Sequence, residues 1–170
     1  LSSDKTPQFG KGEIIEAGNY TDTHQLGWEG TTIHRTLHRQ GTGFNSQRWC
    51  FSEGSEVIYK HDVPCEMRGA ALRINVNYHT GGKLQVSASR DGSTWLPAFD
   101  VDKVGEVSKS LPSQLFPARE VLVRLRSRYR TAIATNRGKS LPLVLRRLDL
   151  DGLFDMTVSA YDVTRPKPHP

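Results

Sequence analysis

The 170-residue sequence predicts an all-β protein, an antiparallel β-sandwich of jelly-roll type. Two observations carry that expectation. Apolar and polar residues alternate with period two in run after run, the pattern of strands with one buried and one wet face. Fifteen glycines and nine prolines are scattered along the chain, so turns recur at short intervals and no long amphipathic helical pattern survives between them. The length suits one domain with its own core, expected over residues 13–163. Residues 1–12 ("LSSDKTPQFGKG") and 164–170 ("TRPKPHP") read as linkers, as in a domain belonging to a longer chain.

Taken in order, "GEIIEAGNY" and "EVIYKHDV" read as strands. Between them, Thr21 to Cys50 is rich in Gly, Thr, His and Gln, and is expected to be loops with one short strand near Thr31–Leu37. "RINVNYH" puts Ile74, Val76 and Tyr78 on one face and Arg73, Asn75, Asn77 and His79 on the other. "TGG" follows as a turn, and "KLQVSAS" alternates again, so the pair reads as a hairpin. "TWLPAFDV" is a short strand that Pro97 marks as an edge. In "EVLVRLRSRYRT", Val123 and Leu125 are expected to face the core, which turns Arg124 and Arg126 away from it and leaves Arg128 and Arg130 towards a rim. "LPLVLRRLDLDGLFDMTVSAY" reads as closing strands with a bulge at Arg146–Arg147.

The segment "VSASRDGSTW", Val86 to Trp95, resembles a signature of galactose-binding-like β-sandwiches, the group that includes discoidin domains and many carbohydrate-binding modules. In that signature a strand ends in Ser, an Asp-Gly turn follows, and a Trp returns the chain. "VLVRLRS" and "LRRLDLDGL" resemble the late strands of the same group, so the likeness runs in order over roughly the last two-thirds of the chain. "SRDGSTW" is also similar to the Asp-box of sialidase-type propellers, but one residue between Asp91 and Gly92 is missing and the motif occurs once, where propellers repeat it. "EIIEAGNY" resembles the first strand of calcium-containing carbohydrate-binding modules. That resemblance implies a structural Ca²⁺ held by Glu16 with Asp149 or Asp151, hard oxygen ligands suited to that ion.

Charge sharpens the functional expectation. The chain carries +5, yet the stretch from Arg119 to Arg147 holds nine Lys or Arg against Glu120 alone. Such a local basic region implies an anionic partner. The candidate ligand-binding residues are Arg73, Asn75, Asn77, Gln85, Arg124 and Arg126, which would share one wet, amide-rich face if their strands are neighbours. Guanidinium forks and amides suit hydroxyls, carboxylates and sulfates. Trp28, between glycines in "QLGWEGT", is a candidate for stacking on a sugar ring. Together with the family resemblance, this implies a non-catalytic carbohydrate-binding domain, attached to a larger extracellular or cell-surface protein and taking an anionic glycan. The alternative partner is a neighbouring catalytic domain, with the arginines as the docking face.

Other classes find little support. No Gly-rich phosphate loop, Gly-x-Ser-x-Gly elbow or His-Glu-x-x-His motif is present. Nucleic acid is not an expected partner, because the aromatic–basic strand signature of RNA-binding sheets is missing. No apolar run approaches the ~18 residues of a membrane span, and no secretory leader is visible. His34 and His38 lack a third ligand in a metal-binding spacing. "NYT" at Asn19 matches the short glycosylation sequon. Cys50 and Cys65 leave two possibilities open: a disulfide worth about 3 kcal/mol, or two free buried thiols.

Overall fold

A computed structural model describes residues 9–23, 26, 33–129, 132–148, 150, 154, 156–162 and 164. The chain divides into two compact units, Leu1–Arg128 and Tyr129–Pro170.

The first unit is the antiparallel β-sandwich that the alternation implies. Its elements are β1 (Glu13–Glu16), β2 (Asn19–Asp22), α1 (Ile33–Thr36), β3 (Leu37–Gly41), β4 (Gly43–Asn45), β5 (Arg48–Cys50), β6 (Glu56–Met67), β7 (Ala71–Val76), β8 (Lys83–Ser89), β9 (Leu96–Val101), β10 (Gly105–Ser110) and β11 (Ala118–Arg128). Five strands form one antiparallel sheet in the order β3-β6-β11-β8-β9. Its inner face supplies Val57, Tyr59, Val86, Ala88, Phe99, Val121, Val123 and Leu125 to the core. The antiparallel β7–β10 pair covers that face with Leu72, Ile74, Val76 and Val107, and Leu111 and Leu115 follow from the segment after β10. Val57, Val86 and Val121 are almost wholly buried, each stabilising the fold by about 1.5–3 kcal/mol relative to exposure. β1–β2 and β4–β5 are separate two-stranded hairpins.

Two sequence expectations meet a different outcome here. The hairpin expected from "RINVNYH" and "KLQVSAS" does not form: β7 pairs with β10, while β8 pairs with β9 and β11. Residues 77–82 instead carry the chain from one layer to the other. Alternation fixes which face of a strand is buried, not which strand lies beside it. Here both apolar faces look at one core from opposite sides, and packed layers stand only about 10 Å apart, a gap this connection can span. The loop-rich segment before Cys50 also holds more order than expected, namely α1, β3 and the β4–β5 hairpin. By contrast, Pro97 does mark an edge, since β9 ends the five-stranded sheet.

The second unit contains β12 (Ala132–Ala134) paired in parallel with β13 (Met156–Val158), and α2 (Leu141–Arg147). The strand expected at "LPLVLRR" is therefore a helix. Leu141 and Leu145 stand four apart and are buried, so the apolar run serves a helical period as well as an alternating one. A proline in the first turn fits a helix start, and Arg146 and Arg147 in the last turn favour the helix dipole. What looked like a bulge is the exposed end of that helix. Tyr161 lies so close to Gly138 that a Cβ there would collide with its ring.

Candidate functional site

The site is built around the turn after β8. Asp91 accepts hydrogen bonds at Oδ1 from the backbone N–H groups of Ser93 and Thr94, both at 2.8 Å, and from the Ser89 hydroxyl at 2.9 Å. Those bonds to its charged form, Thr94 and Ser93 foremost, pull the Asp91 carboxyl down to about 2. Ser89 Oγ in turn accepts from the N–H groups of Asp91 and Gly92. Gly92 takes the left-handed φ of 72° that the turn requires, with Leu122 close beneath it. The turn delivers Trp95, whose indole N–H donates to Gly92 O at 3.1 Å.

Trp95 comes to lie on the outer face of the five-stranded sheet, against Arg124. The Arg124 guanidinium carbon stands 4.2 Å from the ring centroid, and its Nε–H donates to Ser87 Oγ at 3.1 Å. Register places Arg124 between Ile58 on β6 and Ser87 on β8, and Arg126 between Glu56 and Gln85 on the same strands. Ion pairs surround this row. Arg39 pairs with Glu56 at 3.2 Å, Lys60 with Glu120 at 2.8 Å and Lys83 with Asp100 at 2.7 Å. The Glu120 partnership raises the Lys60 ammonium above its ordinary value. Glu56 and Asp100, the acids nearest Arg126 in register, are thus already engaged. Arg126 is exposed and forms no ion pair among the described residues. Ile58 and Leu122 are buried although they belong to this outer face; arginine stems such as that of Arg124 cover apolar surface well while the charged heads stay in water.

The sequence-predicted residues do not all meet. Gln85, Arg124 and Arg126 lie together on the outer face. Arg73 and Asn75 are exposed on β7, in the opposite layer, beside Ser108 and Glu106 of β10. Asn77 sits just past β7, against the turn of the β4–β5 hairpin. Trp28 lies outside the described residues. Of the proposed calcium ligands, Glu16 is exposed at the end of β1, while Asp149 and Asp151 lie outside the described residues. Among the described residues no three His, Cys, Asp or Glu side chains gather as a metal centre would need. Cys50 and Cys65 are free thiols and both are exposed rather than buried. His34 belongs to α1 and His38 is exposed on β3. No helix among the described residues is long and apolar enough to cross a membrane.

One cluster went unread in the sequence. Glu13, with its side chain 2% exposed, is gripped by Arg35. Arg35 Nε–H lies 2.8 Å from both carboxylate oxygens, and Nη2 also donates to the carboxylate. The Tyr20 hydroxyl donates to Glu13 at 2.7 Å, and the Gly10 N–H at 3.1 Å. Burial, then the bond to Glu13, raise the Tyr20 hydroxyl far above its usual range. The hydrogen bond to Glu13 likewise raises Arg35. Close by, His61 Nδ1 lies 3.5 Å from Asp22 Oδ2, and the His61 ring stacks on Tyr59. Burial pushes the Tyr59 hydroxyl up to about 12, and it accepts the Trp49 indole N–H at 2.6 Å. The only sequence signal was an acidic residue and a distant arginine in otherwise unremarkable contexts.

The class that fold and site define is an antiparallel β-sandwich with a cationic, Trp-backed outer sheet face. The chain matches no protein-family model, no curated protein and no solved structure.

Proposed function

We propose that this is a non-catalytic carbohydrate-binding domain of galactose-binding-like type, whose outer sheet face takes an anionic glycan. The observation that carries the reading is Arg124, clamped between Trp95 and Ser87 beside the uncommitted Arg126. A guanidinium carries five N–H donors. One of those on Arg124 is spent on Ser87, and the Nη donors have no partner among the described residues. A planar fork already held in place loses little freedom when it meets a carboxylate or sulfate. Gln85, in register with Arg126, supplies an amide for neighbouring hydroxyls. The tight turn that the resemblance expects is supported by the bonds accepted at Ser89 and Asp91 and by the positive φ of Gly92.

Calorimetry with neutral, uronic and sulfated oligosaccharides tests the reading. Uronic or sulfated chains are expected to bind and neutral ones to bind more weakly. Arg124→Ala and Arg126→Ala should each weaken binding by about 10- to 100-fold, the range for losing a hydrogen bond to a charged group. Absence of affinity for every glycan, or affinity indifferent to both substitutions, would overturn it.

A further inference from the structure

A second polar surface lies apart from the arginine row. The β4–β5 turn and the end of β7 enclose an open pocket of about 330 Å³, lined by Asn45, Ser46, Gln47, Arg48 and Asn77. That volume is at the lower end of small-molecule sites. Its chemistry is unlike the sheet face. Among the described residues no acidic side chain lines it, and three of the five lining residues are amides, each able to donate and to accept. Arg48 is exposed and has no ion-pair partner among the described residues, whereas Arg35 and Arg39 are both paired with acids.

The pocket has a firm base. Trp49 follows Arg48, packs its ring edge-on to Phe44 at 5.1 Å and donates its indole N–H to core residue Tyr59. Thr42 Oγ1 donates to Cys50 O at 2.6 Å and closes the open end of the hairpin. Ser46 holds a left-handed φ of 53°, a strained conformation for a residue with a Cβ.

We propose that this pocket is a second ligand site, for a single hydroxyl-rich ring bearing one carboxylate, of the uronic acid class. Amides that both donate and accept match hydroxyls, which do the same, and the lone Arg48 fork matches one carboxylate. A polyanion would instead call for a row of cations, and Arg48 is the one cation among the described lining residues. The proposal does not depend on the reading of the sheet face.

The test is an NMR titration of the protein with glucuronic and galacturonic acid, with glucose and galactose as neutral comparators. The expected result is a saturable shift of the side-chain amide signals of Asn45, Gln47 and Asn77 with a uronic acid. Arg48→Ala should weaken binding about tenfold or more, Asn77→Ala should weaken it too, and Arg68→Ala, at an exposed cation on the loop before β7, should leave it unchanged. Backbone amide spectra of each variant establish that the fold is retained, as expected for exposed positions, and Arg48→Lys should restore only part of the affinity. Unsaturable shifts, an equal loss with Arg68→Ala and Arg48→Ala, or equal affinity for the neutral sugars would each overturn the assignment.

Discussion

Two clusters of charge in the first unit use the same kind of residue to opposite ends. Beside β1, Arg35 spends its donors on Glu13 and Tyr20, and its guanidinium also lies 5.3 Å from the Phe9 ring centroid. On the outer sheet face, Arg124 is held instead by a ring and a single hydroxyl, those of Trp95 and Ser87. The first arrangement consumes the arginine's charge in holding the fold together. The second fixes its position and leaves the charge for something else. Number of arginines is therefore a poor guide to a binding face; what completes their hydrogen bonds decides.

The comparison breaks most visibly if the buried pair is cut. Arg35→Ala leaves the Glu13 carboxylate buried without its cation, a loss of about 3–5 kcal/mol, to be read from urea unfolding. A cost near that of an ordinary surface substitution would mean that the cluster is not structural. Next in size is Trp95→Ala. Loss of the ring should lower stability by about 1–3 kcal/mol and weaken anionic-glycan binding although Arg124 remains. If binding holds at its original strength, the ring does not position the guanidinium.

Asp91→Asn sharpens the same contrast through pH. The carboxyl is lowered in the folded state, so it contributes stability above its unfolded value of 3.8 and loses that contribution as pH falls through about 2. The melting temperature of the variant should lie below that of the native chain at pH 7, and the gap should close as pH approaches 2. A gap that stays constant across that window would place the effect elsewhere in the turn. The smallest stability effect is expected at Arg126→Ala, within about 0.5 kcal/mol, because no ion pair among the described residues is lost.

Much of the first unit was legible because burial of one face leaves a period-two trace. Val121, Val123 and Leu125 point inward as the pattern of "EVLVRLRSRYRT" implies, and Asp91-Gly92 turns the chain where its residue types demand. What failed were statements about neighbours. Arg73 and Asn75 have the same alternation whether β7 pairs with β8 or with β10, so nothing local separated them from Gln85. α2 was misread because a dense run of leucines satisfies both periods. The β4–β5 hairpin left hardly a trace, since three-residue strands are too short to display periodicity. The Glu13–Arg35 pair joins residues distant in sequence, a contact that no local pattern encodes.

The sheet order has a consequence for how the chain acquires its structure. β11 stands in the middle of the five strands yet is the last of them in sequence. Until it arrives, β3–β6 and β8–β9 are two separate strand pairs, and isolated two-stranded pairs are at best marginally stable in water. During synthesis from the N-terminus, the valines of β6 and β8 must therefore wait for a strand completed only at Arg128. β11 acts as the closing member that turns two half-formed pairs into one sheet, and the pairing it makes with β6 spans a long loop whose closure slows folding. Any truncation that removes β11 deletes more than an eleven-residue strand; it removes the step by which the sandwich becomes cooperative.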